Sequence, residues 1–340
     1  MATQTKILRG TPKWLALRSP LGKVPFDVLM MNLRFSCPYK CSFCCNEGMQ
    51  TSENALTLEE MKTLLGEASK AGCRALVLAG EGEPFACQET IPLIRHAALQ
   101  NLATIVFTNA SYLTTEKAKA ALESGATLVF SIASLDRQRY ELLVGRPNSG
   151  VFDAAIRNIA AARKMAAQLP AETTDGAKVV RLAANHVVTL ADENLARKEV
   201  EKIKAFCQPD MMFVANYVSE RGSAELNHLV GNGYTIQQRL ALELSENIGP
   251  TGIISENGKD WCGYYRYGLS VGADGNILPC AYALDAAGRF GKVKDADGRI
   301  TAAHLIRLKK RIDSETARVE RDGHCYCTVR NSEYKKLWLQ

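Results

Sequence analysis

Up to Tyr217, this sequence alternates six times between a short apolar run and a longer helical pattern. Each apolar run has the length of a β-strand, and the longer stretches repeat their apolar residues near the helical period. The predicted strands are Asp27–Phe35, Ala75–Gly80, Ala103–Asn109, Thr127–Ala133, Val179–Thr189 and Met211–Tyr217. The predicted helices between them are Thr57–Ala71, Gln88–Gln100, Thr114–Ser124, Val151–Gln168 and Asp192–Cys207. This pattern predicts an α/β fold with a parallel sheet, and six units suit a partial (β/α)6 TIM-like barrel, although a doubly wound open sheet has a similar signature.

Beyond Glu220 the alternation stops, and glycines punctuate a loop-rich stretch. Further on, Gly272–Asn276 predicts a hairpin turn between two short strands, and a last helix is predicted over His304–Arg318. We therefore expect an N-terminal extension (1–24), a barrel (25–220), a linker or substrate-side region (221–254) and a small hairpin-containing module (255–340).

Charge and cysteine content narrow the class of protein. The 340 residues carry a net charge of +6 without a basic block, so neither a nucleic-acid partner nor a membrane partner is expected. The first twenty residues lack the apolar core of a signal peptide, which predicts a cytoplasmic protein. In that compartment, 11 cysteines indicate metal or redox chemistry rather than a disulfide framework. The sequence does not indicate the oligomeric state.

Three of these cysteines, Cys37, Cys41 and Cys44, directly follow the first predicted strand. In α/β barrels, the carboxyl ends of the strands carry the active site. Three thiolates suffice for three irons of a 4Fe–4S cluster and leave the fourth iron open to a cofactor or substrate. Two alternatives remain, which are a structural zinc site with Cys45 as the local fourth ligand and a set of inert buried thiols.

The loop resembles the C-x3-C-x2-C signature of the radical S-adenosylmethionine (SAM) superfamily, and further family-like segments follow in order along residues 25–220. Gly80-Glu81-Gly82-Glu83-Pro84 resembles the glycine–glutamate–proline segment, with Glu81 as a departure from the usual pair of glycines. Phe107-Thr108-Asn109 resembles a Thr-Asn-Gly turn in which Ala110 replaces the glycine. Ser131 and Arg146 also match family positions.

The resemblance implies roles for these residues. The backbone of Gly80–Pro84 would hold the amino group of the SAM methionine moiety, and Ser131 would contact its ribose or carboxylate. Asn109 belongs to the same cofactor site, and Arg146 would lie near the carboxylate, although a solvated loop arginine is an equal alternative. The implied reaction begins with an electron from a partner such as flavodoxin or ferredoxin. Cleavage of SAM then gives a 5'-deoxyadenosyl radical that abstracts hydrogen from the substrate.

A second set of cysteines, Cys262, Cys280, Cys325 and Cys327, lies in the distal module. The predicted hairpin would return Cys262 and Cys280 to one place. The segment Gly275–Cys280 resembles the twitch and SPASM extensions of the family, which carry auxiliary iron–sulfur clusters. Four cysteines fit the single-cluster twitch form, so a second cluster, of 4Fe–4S type, is expected. A structural zinc site of four cysteines is the alternative.

The sequence also offers two candidate hydrogen donors, Cys45 and Cys87, because both lie close to the cofactor loops. Cys73 and Cys207 are expected to be buried thiols. Asn185 and His186 form a polar pair in an apolar strand, which would face a site or include a hydrogen-bonded core histidine.

From these features we expect a radical SAM oxidoreductase or epimerase acting on a small, carbohydrate-like metabolite. No N-terminal leader-binding unit is visible, which favours a small molecule. A maturase that modifies a peptide or protein is the second enzyme hypothesis, and a non-catalytic metal-binding scaffold is the hypothesis of another class.

Overall fold

The computed structural model describes residues 5–34, 36–44, 54–217, 237, 239–241, 243, 253–256, 259–284 and 287–320. Its strands are β1 (Lys6–Leu8), β2 (Val28–Met31), β3 (Ala75–Leu78), β4 (Ala103–Thr108), β5 (Thr127–Ser131), β6 (Glu172–Thr174), β7 (Ala177–Val180), β8 (Leu182–Val188), β9 (Met212–Tyr217), β10 (Ile253–Glu256), β11 (Lys259–Cys262), β12 (Gly268–Val271) and β13 (Ile277–Leu278). Its helices are α1 (Pro12–Arg18), α2 (Leu58–Lys70), α3 (Thr90–Leu99), α4 (Thr115–Glu123), α5 (Arg137–Leu143), α6 (Val151–Ala166), α7 (Glu193–Cys207), α8 (Gly263–Arg266) and α9 (Ala302–Glu320).

The main sheet has eight strands in the order β13-β12-β2-β3-β4-β5-β8-β9. From β2 to β9, spatial order follows chain order, and helices connect these strands. A doubly wound sheet would instead reverse direction at a switch point near its middle. The strand order therefore favours a partial barrel over the doubly wound open sheet, the two alternatives that the sequence left open. It also confirms the α/β class.

The chain divides into two compact units, which are described separately. One unit comprises residues 1–9, 37–49 and 106–251, and its part of the main sheet includes β5, β8 and β9. The other comprises residues 10–36, 50–105 and 252–340, with β13, β12, β2 and β3. The four-segment division expected from the sequence stays a prediction.

Local sequence signals explain several element boundaries. Thr57 begins α2 with a capping box, in which its side chain accepts a hydrogen bond from the amide of Glu60 while the Glu60 carboxylate accepts one from the amide of Thr57. Gly72 follows the end of the same helix with a φ of +97°, a conformation that glycine adopts without steric cost. The hairpin predicted around Gly272–Asn276 is present as β12 and β13, and the last predicted helix corresponds to α9.

The structure differs from the predicted elements in several places. The strand predicted over Val179–Thr189 is divided at Arg181, because β7 pairs with β1 and β6, whereas β8 pairs with β5 and β9. The short helix α5 was not predicted. In the second unit, β12 pairs in parallel with β2, so the distal hairpin extends the main sheet.

A buried polar cluster in the first unit joins α7 to the ends of β5 and β8. His186 on β8 is fully buried, and its Nδ1 donates to the Ile132 carbonyl at 2.9 Å. Its Nε2 lies 3.6 Å from Glu199 on α7, whose other oxygen accepts hydrogen bonds from Ser134 and Arg139. Burial, opposed in part by Glu199, lowers the pKa of His186 below its usual value of 6.5.

We predict that the free energy of unfolding falls as the pH is lowered from about 6.5, because the unfolded chain then takes up a proton that native His186 resists. The expected slope approaches roughly 1.4 kcal/mol per pH unit below that point, within the window above the lowered pKa. Chemical denaturation between pH 5.5 and 7.5 would measure it. His186→Gln should flatten the slope. Equal slopes in wild type and His186→Gln would contradict the prediction.

None of the helices in the described part of the chain has both the length and the apolar run that crossing a bilayer requires.

Candidate active site

The loop that carries Cys37, Cys41 and Cys44 is held against the carboxyl end of α5. The Lys40 amide donates to the Val144 carbonyl at 3.0 Å, and the Ser42 amide donates to the Leu143 carbonyl at 2.8 Å. The last carbonyls of a helix lack partners within the helix. The end of α5 therefore supplies acceptors for the cysteine loop.

Gly145, just beyond α5, permits this close approach. Its φ is +65°, and a Cβ built on it would lie 2.6 Å from the Lys40 carbonyl oxygen. Any other residue would push the loop away in addition to adopting a strained backbone. Gly145 was not among the residues predicted from the sequence, although its place at the end of a short amphipathic segment is a C-cap signal.

An apolar cluster lies under the same loop. Tyr39, between the first two cysteines, packs edge-to-face on Tyr140 with ring centroids 6.5 Å apart, and Tyr140 packs on Phe152 at 5.4 Å. Cys37 and Cys41 contact this cluster, so the loop lies on a largely dry surface.

The three thiols influence one another. Burial raises the pKa of the Cys41 thiol, and the charges of Cys44 and Cys37 raise it further. In the described part of the chain, however, no three or more Cys, His, Asp or Glu side chains are close enough together to hold a metal ion as they stand. The thiols thus approach one another without forming a closed ligand set.

This donor set nevertheless fits an iron–sulfur cluster. Three soft thiolates favour iron–sulfur or zinc over hard metals. A cationic metal would offset both the burial and the repulsion that raise the pKa of Cys41. In addition, the Asn109 side-chain amide lies 3.6 Å from the Cys37 sulfur, as a hydrogen bond to a cluster ligand requires.

Asn109 belongs to a tight turn after β4. Ala110 has a φ of +62° and is fully buried. The Ala110 amide donates to Thr108 Oγ1, and the Ser111 amide donates to Asn109 Oδ1, both at 2.9 Å. The position at which Ala110 replaces the glycine of the family's turn is thus a left-handed one.

Arg146 holds the cysteine loop through a hydrogen bond from its Nε to the Pro38 carbonyl. Its predicted contact with the SAM carboxylate stays a prediction. Ser131 lies at the end of β5, where it pairs in register with Asn185 on β8. Its predicted contact with the cofactor also stays a prediction.

In the second unit, the segment Gly80–Pro84 follows β3. Gly80 has a φ of +106°, and a Cβ on it would lie 2.2 Å from Asn32 Oδ1. The buried carboxylate of Glu83 accepts the Phe85 amide at 3.1 Å and begins a short 3-10 helix. Glu81 accepts a hydrogen bond from Asn32 Nδ2 at 3.2 Å, and burial is the main cause of its raised pKa.

Asn32 also connects this segment to the distal cysteine region of the same unit. Its Nδ2 donates to the Ala281 carbonyl at 3.0 Å, next to Cys280. Asn32 was not predicted from the sequence, because the contact joins residues 249 positions apart.

The remaining cysteines differ in their surroundings. Cys73 and Cys207 are buried, as expected. Burial raises the pKa of Cys73 to about 12. The half-buried Cys87 donates from its sulfur to the Arg34 carbonyl at 3.0 Å. Cys262 and Cys280 are half-buried and not in disulfides. Cys45, Cys325 and Cys327 lie outside the described residues, so the distal ligand set stays a prediction.

We predict that Gly145→Ala prevents stable docking of the cysteine loop and lowers iron incorporation during anaerobic reconstitution to less than about half, because the added methyl group displaces the Lys40 carbonyl. Gly150→Ala is the matched control. Gly150 also has a positive φ, +73°, but a Cβ built on it would have no atom within 4 Å, so its substitution should cost only the backbone strain of about 1–2 kcal/mol. Iron analysis and melting temperature would measure both effects. Equal iron content in the two variants would show that docking is dispensable.

Comparison with known proteins shows a similarity over part of the chain. Residues 31–175 match the model of the radical SAM superfamily. The GTP 3',8-cyclase of Shewanella denitrificans is 30% identical over 141 residues, which cover 40% of this chain and 41% of that protein. The PqqA peptide cyclase of Bradyrhizobium diazoefficiens is 31% identical over 103 residues, covering 30% of this chain and 27% of that protein. The chain thus spans less than half the length of these curated relatives.

Among solved structures, the fold is similar to Streptococcus suis SuiB bound to the precursor peptide SuiA. The TM-score is 0.60 at 16% identity, over 88% of this chain and 69% of that chain. This likeness concerns the fold alone. The loop of Cys37, Cys41 and Cys44 and the Asn109 turn lie within residues 31–175, the part of the chain that is similar to the radical SAM superfamily.

Proposed function

We propose that this chain is a radical SAM enzyme that abstracts a hydrogen atom from its substrate. The observation that carries the proposal is the cysteine loop itself, in which Cys37 and Cys41 contact a buried aromatic cluster, within the residues that match the radical SAM superfamily model. A 4Fe–4S cluster with SAM would supply the 5'-deoxyadenosyl radical when bound.

The chain's own residues hold and orient these groups. Cys37, Cys41 and Cys44 supply three thiolates, and Asn109 donates toward the Cys37 sulfur. A hydrogen bond to a ligating sulfur stabilises the reduced state, because it offsets the added negative charge. Tyr39 and Tyr140 exclude water beneath the loop.

The segment Gly80–Pro84 is proposed to hold the methionine moiety of SAM. Its left-handed glycines, Gly80 and Gly82, permit backbone groups to approach a ligand without a side chain in between. The half-buried Glu81 adds a carboxyl group that the family pattern lacks.

A second cluster held by Cys262, Cys280, Cys325 and Cys327 remains part of the proposal. Cys280 is two residues beyond the end of β13, and β12 joins this hairpin to β2. Asn32 joins the adjacent Ala281 to the proposed SAM segment. An auxiliary cluster here would be connected to that segment through a single buried side chain.

For the reaction type, we favour formation of an intramolecular bond. The curated relatives named above are a GTP cyclase and a peptide cyclase. Oxidation or epimerisation of a carbohydrate-like metabolite, expected from the sequence, finds no support in these names. Of the two named substrate classes we favour a peptide, because Asn185 and Asn216 offer a neutral donor and a neutral acceptor.

We predict that the reconstituted, reduced protein forms 5'-deoxyadenosine from SAM and that Cys37→Ala, Cys41→Ala and Cys44→Ala each abolish this product. The reason is that a missing thiolate leaves the cluster without one of its three protein ligands. Chromatography with mass detection would measure the product. Cys207→Ala, which alters a buried thiol at the end of α7, should retain cleavage. A fully iron-loaded wild-type protein that does not cleave SAM would indicate the non-catalytic scaffold instead.

We further predict that the product is lighter than its substrate by two hydrogen atoms. The 5'-deoxyadenosyl radical would take one hydrogen atom from a C–H bond, and the carbon radical would bond to a second carbon, whose hydrogen would leave as a proton while its electron passes to the proposed auxiliary cluster. Mass spectrometry of peptides and nucleotides from native cells, with and without the active protein, would identify the product. A product of unchanged mass would contradict this oxidative ring closure.

A further inference from the structure

The contact of His186 with α7 shows which side chains of β8 face α7 and which face the opposite side of the sheet. His186 lies against Glu199 of α7, and neighbouring residues on a strand point to opposite faces. Asn185 therefore faces away from α7. Paired residues of parallel strands share a face, so Ser131, the partner of Asn185, lies on the same side. Val187, two residues beyond Asn185, points to the same face, so its partner Asn216 on β9 lies on that side too.

Three polar side chains thus form a row on the inner face of three adjacent parallel strands. Ser131 ends β5, Asn185 is the middle residue of β8, and Asn216 is the penultimate residue of β9. Ligands of parallel α/β folds bind at the carboxyl ends of the strands. We call these three residues the polar row.

The polar row contains an unsatisfied buried acceptor. Asn216 is 7% exposed, and its Nδ2 donates to Asn185 Oδ1. Its own Oδ1 has no hydrogen-bond partner in the described part of the chain. A buried acceptor without a partner is unfavourable, and native structures rarely contain one without a reason.

The half-buried Asn185 supplies the complementary group. Its Oδ1 is occupied by Asn216, whereas its Nδ2 makes no hydrogen bond within the described residues. The pair thus presents an acceptor on β9 and a donor on β8, two strands about 4.8 Å apart. Both groups are neutral, so an anion would face the Asn216 oxygen without a charge to balance it.

We propose that Asn185 and Asn216 bind the backbone of an extended peptide substrate, with the N–H of one residue donating to Asn216 Oδ1 and the C=O of the same residue accepting from Asn185 Nδ2. The N–H and C=O of one residue in an extended chain point to the same side, so both can reach this pair. The inference rests on the proposed radical SAM function, and it specifies a peptide as the substrate class.

The probe for this site is N-acetylglycinamide, a small neutral molecule with two amide groups. The side-chain amide signals of Asn185 and Asn216 would be assigned in ¹⁵N spectra of the reconstituted protein. Each signal is the one that is present in the wild type and missing from the spectrum of Asn185→Leu or Asn216→Leu. The probe should shift these signals in the wild type. Glycerol and sodium acetate, which offer hydroxyls and an anion, should shift them at least about fivefold less at equal concentration.

Each variant should weaken probe binding by roughly two- to tenfold, as loss of one hydrogen bond predicts. Asn194→Leu, at an exposed position on α7 in the same unit, should leave binding unchanged. If Asn216→Leu does not fold, Asn185→Leu provides the test, because Asn185 is only half-buried.

Three results would overturn the inference. These are no shift with N-acetylglycinamide, an equal shift with acetate or glycerol, and an equal loss of SAM affinity in the variants, which would assign the pair to the cofactor. SAM cleavage measured on the same samples distinguishes failure of this inference from failure of the proposed radical SAM function. Cleavage without amide binding refutes only this inference, and amide binding without cleavage refutes the proposed function.

Discussion

The backbone hydrogen bonds between the cysteine loop and the carboxyl end of α5 are the contact on which the site depends. They connect Lys40 and Ser42 to the carbonyls of Val144 and Leu143. A loop of three thiols has no reason of its own to fold, since like charges on its sulfurs repel one another. The end of a helix provides acceptors at fixed positions, and the aromatic rings beneath provide burial. The loop therefore has its backbone arranged before a metal arrives.

Much of this architecture follows from local sequence signals. Strand and helix positions are readable because apolar spacing directly reports which faces are buried. The three cysteines are readable because few kinds of site combine their spacing with a position directly after a strand. The capping box at Thr57 and the turn at Gly272–Asn276 depend only on residues within a few positions of one another. For these features, sequence and structure agree.

The rest depends on contacts between distant residues, which one sequence does not show. The order of strands separates a barrel from a doubly wound sheet, and helical periodicity is the same in both. Gly145 matters because Lys40 lies against it, more than a hundred positions away. The orientation of Asn185 followed only from the contact of His186 with α7. The polar pair in that strand was therefore visible, but its two members proved to face opposite sides.

The left-handed turn at Ala110 has a consequence for how the site tolerates change in charge. Glycine would adopt this conformation freely and leave it as freely, whereas for alanine it costs about 1–2 kcal/mol. The neighbouring hydrogen bonds, from the Ala110 amide to Thr108 and from Asn158 to the Ala110 carbonyl, offset that cost. The turn thus has one stable geometry, enforced from two sides. Asn109 would then keep its place beside the sulfur while electrons enter and leave, so that little energy is lost to reorganisation of the protein.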